Sequence, residues 1–348
     1  MPDDNGCNRM RNMNANTYCS CSLTAGAAIA IVLGLHGIVQ AAMSPVAASA
    51  WPNKPIRIIV GTTPGSPPDI VARLLGERLV AALGQPVVVE NRPGAIGSIG
   101  LNAVAKATPD GYTFGFISLG YLLSPTLLPH VPFDMVADLA PVIQTNWESQ
   151  LLVVRASSPW KSVKDIVAHA KSQPERMTLA SGGNATPAHL TGEFFKRHAG
   201  ISIRHVPFKG APAGVTAVVG EQVDLMFAAT PAAGPHLQSG RLRALATPAP
   251  RRVPAFPDVP TMVELGYAGV EIRSWHGVVA PSASPKPIIA RMAGEIAKIT
   301  ESPDIKARFL TLGMEAAAEG GSDAFGKFLR SEFARWSKLV RDAGIRAE

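Results

Sequence analysis

At 348 residues, with 47% hydrophobic and 17% charged, the chain is long enough for two ordinary globular domains and too apolar for disorder or a fibrous repeat. Its formal charge of +7 comes without a basic run longer than two residues. That argues against nucleic-acid binding and leaves a modest field that draws small anions. Cys7, Cys19 and Cys21 all precede the first long apolar run, so structural zinc, iron–sulfur clusters and thiol catalysis are not expected downstream of it.

Residues 23–41 are apolar except for Thr24, His36 and Gln40; Arg9 and Arg11 lie upstream, and Ala48-Ser49-Ala50 follows. This pattern is expected of a secretory signal peptide over 1–50, cleaved close to Ala50, with a periplasmic mature chain. A membrane anchor is the competing reading, and the short run with its histidine disfavours it.

In the mature chain, 55–60 reads as a buried strand rich in β-branched side chains. A loop at 61–68 follows, then a helix marked by Ile70, Val71, Leu74, Leu75, Leu79 and Ala82. A strand at 87–90, a Gly-rich stretch at 93–98, a helix over 99–107 and a strand at 112–117 come next. The same alternation restarts at 151. Strands are expected at 151–154, 177–180, 203–206, 223–228, 243–247 and 275–281, with helices at 161–172, from Pro187 and at 211–219. The tail from Pro285 to Ile345 reads as helical, broken at Ser302-Pro303 and Gly320-Gly321. Alternating strands and helices imply parallel sheets with helices on both faces.

Two loops carry the candidate chemistry. Ser66-Pro67-Pro68-Asp69 has the spacing of a capping box, in which the Asp69 carboxylate reaches back to the Ser66 N–H. Asp69 is then either a structural cap or a ligand contact, and Thr63, Gly65 and Ser66 are the donors left for an anion. In the second loop, 181–186, Thr186 is placed to cap a helix that begins at Pro187. Gly182, Gly183, Asn184 and Ala185 keep their N–H groups, and Ser181, Asn184 and Thr186 add side-chain donors. Such a loop either forms an anion-binding concavity or is a plain turn.

Other motifs are missing. The sequence has no G-x-x-x-x-G-K-[ST] run, no G-x-S-x-G elbow and no H-x-x-x-H or H-E-x-x-H pair. Each histidine reads as a structural residue, His189 least securely because it opens the helix after the second loop. The chain is not expected to be an enzyme or to need a metal or cofactor.

Ten fragments, taken together and in order, identify a resemblance. They are WPNKPIRIIV, PPDIVARLLGERL, GQPVVVENRPGAIGSIG, DGYTF, HVPFKG, GEQVDLMF, SGRLRALA, FPDVPTMVELGY, PKPIIARM and FARWSKLVRDAGI. Across nearly all of 51–348 the chain resembles the periplasmic substrate-binding receptors of tripartite tricarboxylate transporters, also called the Bordetella uptake gene family.

The resemblance implies an α/β type II periplasmic-binding-protein fold, two α/β domains flanking a ligand cleft. Domain 1 is placed at 51–150 and 275–348, domain 2 at 151–274. It also implies a small organic carboxylate as ligand, held by Gly65, Ser66 and Asp69; Ser118 and Tyr121; Ser181, Gly183, Asn184 and Thr186; and Ala228. Many relatives carry an aspartate at the last position. With Ala228 there, the expected ligand is a carboxylate without a nearby ammonium. The implied partners are membrane transporter subunits or, alternatively, a sensor receptor, with the chain acting as a monomer and binding no nucleic acid.

Overall fold

The computed structural model describes residues 51–317 and 320–345. The expected signal peptide, its cleavage site and the three cysteines lie outside the described residues. In chain order the elements are β1 (Ile56–Val60), α1 (Pro67–Leu83), β2 (Val87–Asn91), α2 (Ser98–Ala105), β3 (Thr113–Ser118), the one-turn helices α3 (Leu119–Leu122) and α4 (Ser124–Leu127), and β4 (Leu139–Glu148). Next come β5 (Gln150–Arg155), α5 (Val163–Ser172), β6 (Thr178–Ser181), α6 (Pro187–Ala199), β7 (Arg204–Pro207), α7 (Ala211–Val219), β8 (Leu225–Ala229), α8 (Thr230–Gln238) and β9 (Leu242–Ala246). The chain finishes with β10 (Ser274–Pro281), α9 (Lys286–Glu301), α10 (Pro303–Thr311), β11 (Met314–Ala316) and α11 (Gly321–Asp342).

The strands form two sheets, ordered β11-β4-β10-β3-β1-β2 and β7-β6-β8-β5-β9. Both are mixed, which corrects the expectation of parallel sheets. β1, β2 and β3 run parallel, as do β6, β7 and β8, but β10 is antiparallel to β3 and β4, and β5 is antiparallel to β8 and β9. The physical reason lies in the connections. β4 and β5 follow one another with only Ser149 between them, and β10 brings the chain back from the second sheet. Strands that enter from the other lobe run against those built by strand–helix–strand crossovers. As a result, the C-terminal ends of the parallel strands in both sheets open toward one cleft, the usual place for a ligand in such sheets.

The cores follow from local sequence. In β1, Ile56, Ile58, Ile59 and Val60 are buried and Arg57 is exposed. α1 ends where Gly84 adopts φ 70° and returns its N–H to the Val80 carbonyl. α5 carries the one reciprocal capping box seen at a described helix start, Ser162 with Asp165. Each fully buried Leu, Ile or Phe contributes roughly 1.5–3 kcal/mol of transfer free energy before entropy is counted. No helix among the described residues is long and apolar enough to cross a membrane.

The C-terminal helix returns to the first sheet and is held there by one carboxylate. Glu332 Oε2 accepts from both Trp275 Nε1 and Trp336 Nε1, each at 3.0 Å. Trp275 is fully buried on β10, and Gly277 beside it leaves room for Phe325, whose ring would lie 2.2 Å from any Cβ there. Glu332→Ala strands two buried indole donors and is expected to cost about 2–4 kcal/mol in urea denaturation. Glu332→Gln keeps an acceptor and should cost clearly less. Equal losses for the two variants would contradict this role.

Candidate functional site

A cavity of about 600 Å³ lies between the two sheets, within the range of small-ligand sites. Its first wall comes from the loops after β1, β2 and β3 and from Glu148, Ser274 and His276. The second wall is Gln150, the 182–188 loop and helix start, the 209–211 loop, Met226 and Ala229. The walls meet at the mouth: a Cβ on Gly210 would lie 2.3 Å from Thr63 Oγ1. Gly210 also sits at φ 97°, a conformation that favours glycine.

Several helices begin on this cavity, α1, α6 and α7 among them. α1, α6 and α7 each carry proline at their first or second position, so each starts sharply at the end of its loop. First-turn amides have no intrahelical acceptor. Those of Ala188 in α6 and Ala211 in α7 find no acceptor among the described residues, and both residues line the cavity. The starts of α6 and α7 and the exposed Lys209, which makes no ion pair among the described residues, favour an anion here.

Of the residues expected at the site, Ser66, Ser118, Tyr121, Gly183, Asn184 and Thr186 line the cavity. Gly65, Asp69, Ser181 and Ala228 do not. Asp69 is a buried brace. Its carboxylate accepts from Gly65 N at 2.9 Å, from Asn91 Nδ2 at 2.8 Å and from Arg73. It therefore reaches one residue beyond the Ser66 N–H expected of a capping box, and Ser66 N bonds the Thr63 carbonyl instead. Burial alone raises the Asp69 carboxyl, but Arg73, the Gly65 N–H and Asn91 together outweigh it and hold the group below its ordinary value.

Ser181 is fully buried beneath its loop, with Oγ 2.7 Å from His205 Nε2 and accepting from Gly183 N at 3.2 Å. Ala228 packs in the second-lobe core, and its neighbour Ala229 faces the cavity. The absence of an acid at 228 therefore says nothing about the cleft.

The loop 181–186 spends most of its donors on itself. Gly183 N goes to Ser181 Oγ, Ala185 N to His189 Nδ1 at 3.0 Å, and Thr186 N and Oγ1 to the Gly183 carbonyl. The starts of α6 and α7 behind the loop keep amides that the loop does not use. Tyr121 is almost wholly buried; burial pushes its phenol up, the nearby Thr62 hydroxyl opposes this, and Asp69 and Glu148 reinforce it. The phenol stays neutral and keeps its proton to donate.

Several cavity residues escaped sequence reasoning: Glu148, Gln150, Lys209, Ser274 and His276. Glu148 lies on β4, a strand the sequence did not announce because Pro141, Gln144, Thr145 and Asn146 interrupt its apolar pattern. Lys209 could have been found, since Lys209-Gly210-Ala211-Pro212 repeats the loop-then-proline entry seen at Pro67 and Pro187. Among the described residues no group of three His, Cys, Asp or Glu is placed to hold a metal ion.

His189 has a definite task. Burial, helped by Lys196, lowers its pKa to about 4. The neutral ring accepts the Ala185 N–H and so holds the loop. Because the folded pKa lies below the ordinary value near 6.5, the unfolded chain takes up the proton first, and this site's contribution is lost as pH falls from about 6.5 to about 4. The loss is on the order of 2–3 kcal/mol. His189→Asn, which offers a non-titrating acceptor, should flatten the stability–pH curve over that window in chemical denaturation. An unchanged slope would contradict the assignment.

The chain matches the family model described as the tripartite tricarboxylate transporter family receptor over residues 71–345. It is 34% identical over 317 residues to protein BugT of Bordetella pertussis, covering 90% of this chain and 97% of BugT. The solved structure of Rhodopseudomonas palustris Rpa4515 with adipate is similar at TM-score 0.81 and 31% identity, covering 85% of this chain and 99% of that one. MatC from the same organism, with bound malate, is similar at TM-score 0.78 and 28% identity, covering 83% and 100%. The fold is the type II periplasmic-binding-protein fold, two α/β lobes flanking a cleft. The chain belongs to the tripartite tricarboxylate transporter receptor family.

Proposed function

We propose that this chain is an exported, monomeric receptor that captures a small organic carboxylate in the cleft and delivers it to the membrane subunits of a tripartite tricarboxylate transporter. The observation that carries the reading is the convergence of α1, α6 and α7 on one cavity, with the Ala188 and Ala211 amides unclaimed. The relatives solved with adipate and malate make the same class of ligand reasonable here. Export rests on the leader sequence and on the periplasmic receptors of the family.

The reading includes no catalysis. Ser181 and His205 stand at the spacing of a nucleophile and its base, 2.7 Å, but Ser181 is fully buried and does not line the cavity. A nucleophile must reach the substrate, so the pair is read as a brace for the loop.

A thermal-shift screen with a carboxylate panel, adipate and malate included, tests this function. A ligand that binds only the folded state at a hundred times its Kd adds about 2.7 kcal/mol. At least one carboxylate should raise the melting temperature by several degrees while its amide analogue does not. A panel in which amides stabilise as well as acids, or nothing stabilises, would overturn the reading.

A further inference from the structure

The cavity holds one buried carboxylate that no lysine or arginine pairs with among the described residues. Glu148 closes β4, its side chain is 5% exposed, and it lines the cleft. Its Oε2 lies 3.1 Å from His276 Nε2. Behind the imidazole, Asn146 Nδ2 is 3.1 Å from His276 Nδ1, and Thr145 Oγ1 donates to Asn146 Oδ1 at 2.8 Å. Asn146 Nδ2 also donates to the Trp147 carbonyl.

These contacts orient the amide. Asn146 Oδ1 accepts from Thr145 and also lies 3.3 Å from His276 Nδ1, so the amide fixes the ring while Nε2 faces Glu148. Among the described residues His276 is the ion-pair partner of Glu148, and no lysine or arginine pairs with it.

Two other oxygens share this wall. Ser274 is the register partner of Glu148 across β10 and β4, is 1% exposed, and its Oγ has no hydrogen-bond partner among the described residues. The neutral Tyr121 phenol lies within the field of Glu148. A carboxylate flanked by hydroxyl oxygens is an acceptor set suited to an ammonium. A second carboxylate on a ligand would be repelled there, because a buried carboxylate without a lysine or arginine partner gains from a cation and loses from an anion.

We propose that Glu148 is a specificity-determining residue of the cleft and that the ligand carries an ammonium beside its carboxylate, the ammonium meeting Glu148 and Ser274 and the carboxylate meeting the starts of α6 and α7. This rests on reading the cleft as a carboxylate site, and it replaces the expectation drawn from Ala228.

The test is isothermal titration of matched pairs that differ only in the amine: aspartate with succinate, 4-aminobutyrate with butyrate, 6-aminohexanoate with hexanoate. In at least one pair the amino member should bind more tightly by on the order of thirtyfold. Glu148→Gln keeps an acceptor for His276 Nε2 and should abolish that preference, weakening the amino member while leaving its partner unchanged or tighter. The wild-type comparison needs no variant to fold. If the deaminated member binds equally or better in every pair that binds, the proposal is overturned and the carboxylate function stands. A preference that survives Glu148→Gln also overturns the role of Glu148. If no member of any pair binds, the proposal is overturned for these ligands, and the acid-against-amide screen decides the carboxylate reading separately.

Discussion

Ser149 is the single residue between the last strand of the first sheet's opening half and the first strand of the second sheet. Its N–H donates to the Gly313 carbonyl, and its own carbonyl accepts from Thr230 N at 3.1 Å and Thr230 Oγ1 at 2.8 Å. So short a crossing fixes which edges of the two sheets can face each other. β10 returns alongside β4, and on the same side Arg273 reaches Glu315 at 3.2 Å and lies 4.5 Å over the Trp147 ring. The cleft, the helix starts that open on it and the placement of Glu148 at its wall all follow from that crossing. Rotation of one lobe against the other must be absorbed by these few residues.

The cleft so formed is electrically lopsided. The starts of α6 and α7 and Lys209 lie on the second lobe, while the carboxylate of Glu148, paired with His276 and with no lysine or arginine among the described residues, sits at the crossing. The carboxylate of Asp69 does not add to this, because Gly65, Asn91 and Arg73 consume it. Two acids within a few elements of the cavity therefore have opposite meanings. One fastens a loop, and the other faces a ligand. Hydrogen-bond direction separates them where residue type cannot.

Much of the scaffold was legible in the sequence. Strands rich in Ile and Val, such as 55–60 and 151–154, and helices introduced by Pro67 and Pro187 announce themselves through period and cap. The second loop was legible as a cleft element, but its chemistry was not: whether an amide is free depends on tertiary partners such as His189, which takes the Ala185 N–H. β4 was missed because a strand buried in the middle of a sheet can hold polar residues when they bond one another, as Thr145, Asn146 and His276 do. Ala228, which the sequence suggested for the site, packs inward, and its neighbour Ala229 lines the cavity. Periodicity shows that a strand is buried, but it does not show which of two buried faces meets the cleft.

The most direct test of the central claim, that the helix starts of the second lobe hold the ligand's anionic group between the sheets, is a crystal structure with the tightest-binding carboxylate. The account predicts carboxylate oxygens within about 3 Å of the Ala188 or Ala211 amide nitrogen, with the ligand enclosed between the lobes. A ligand bound outside the cleft, or one whose carboxylate faces away from both helix starts, would contradict it.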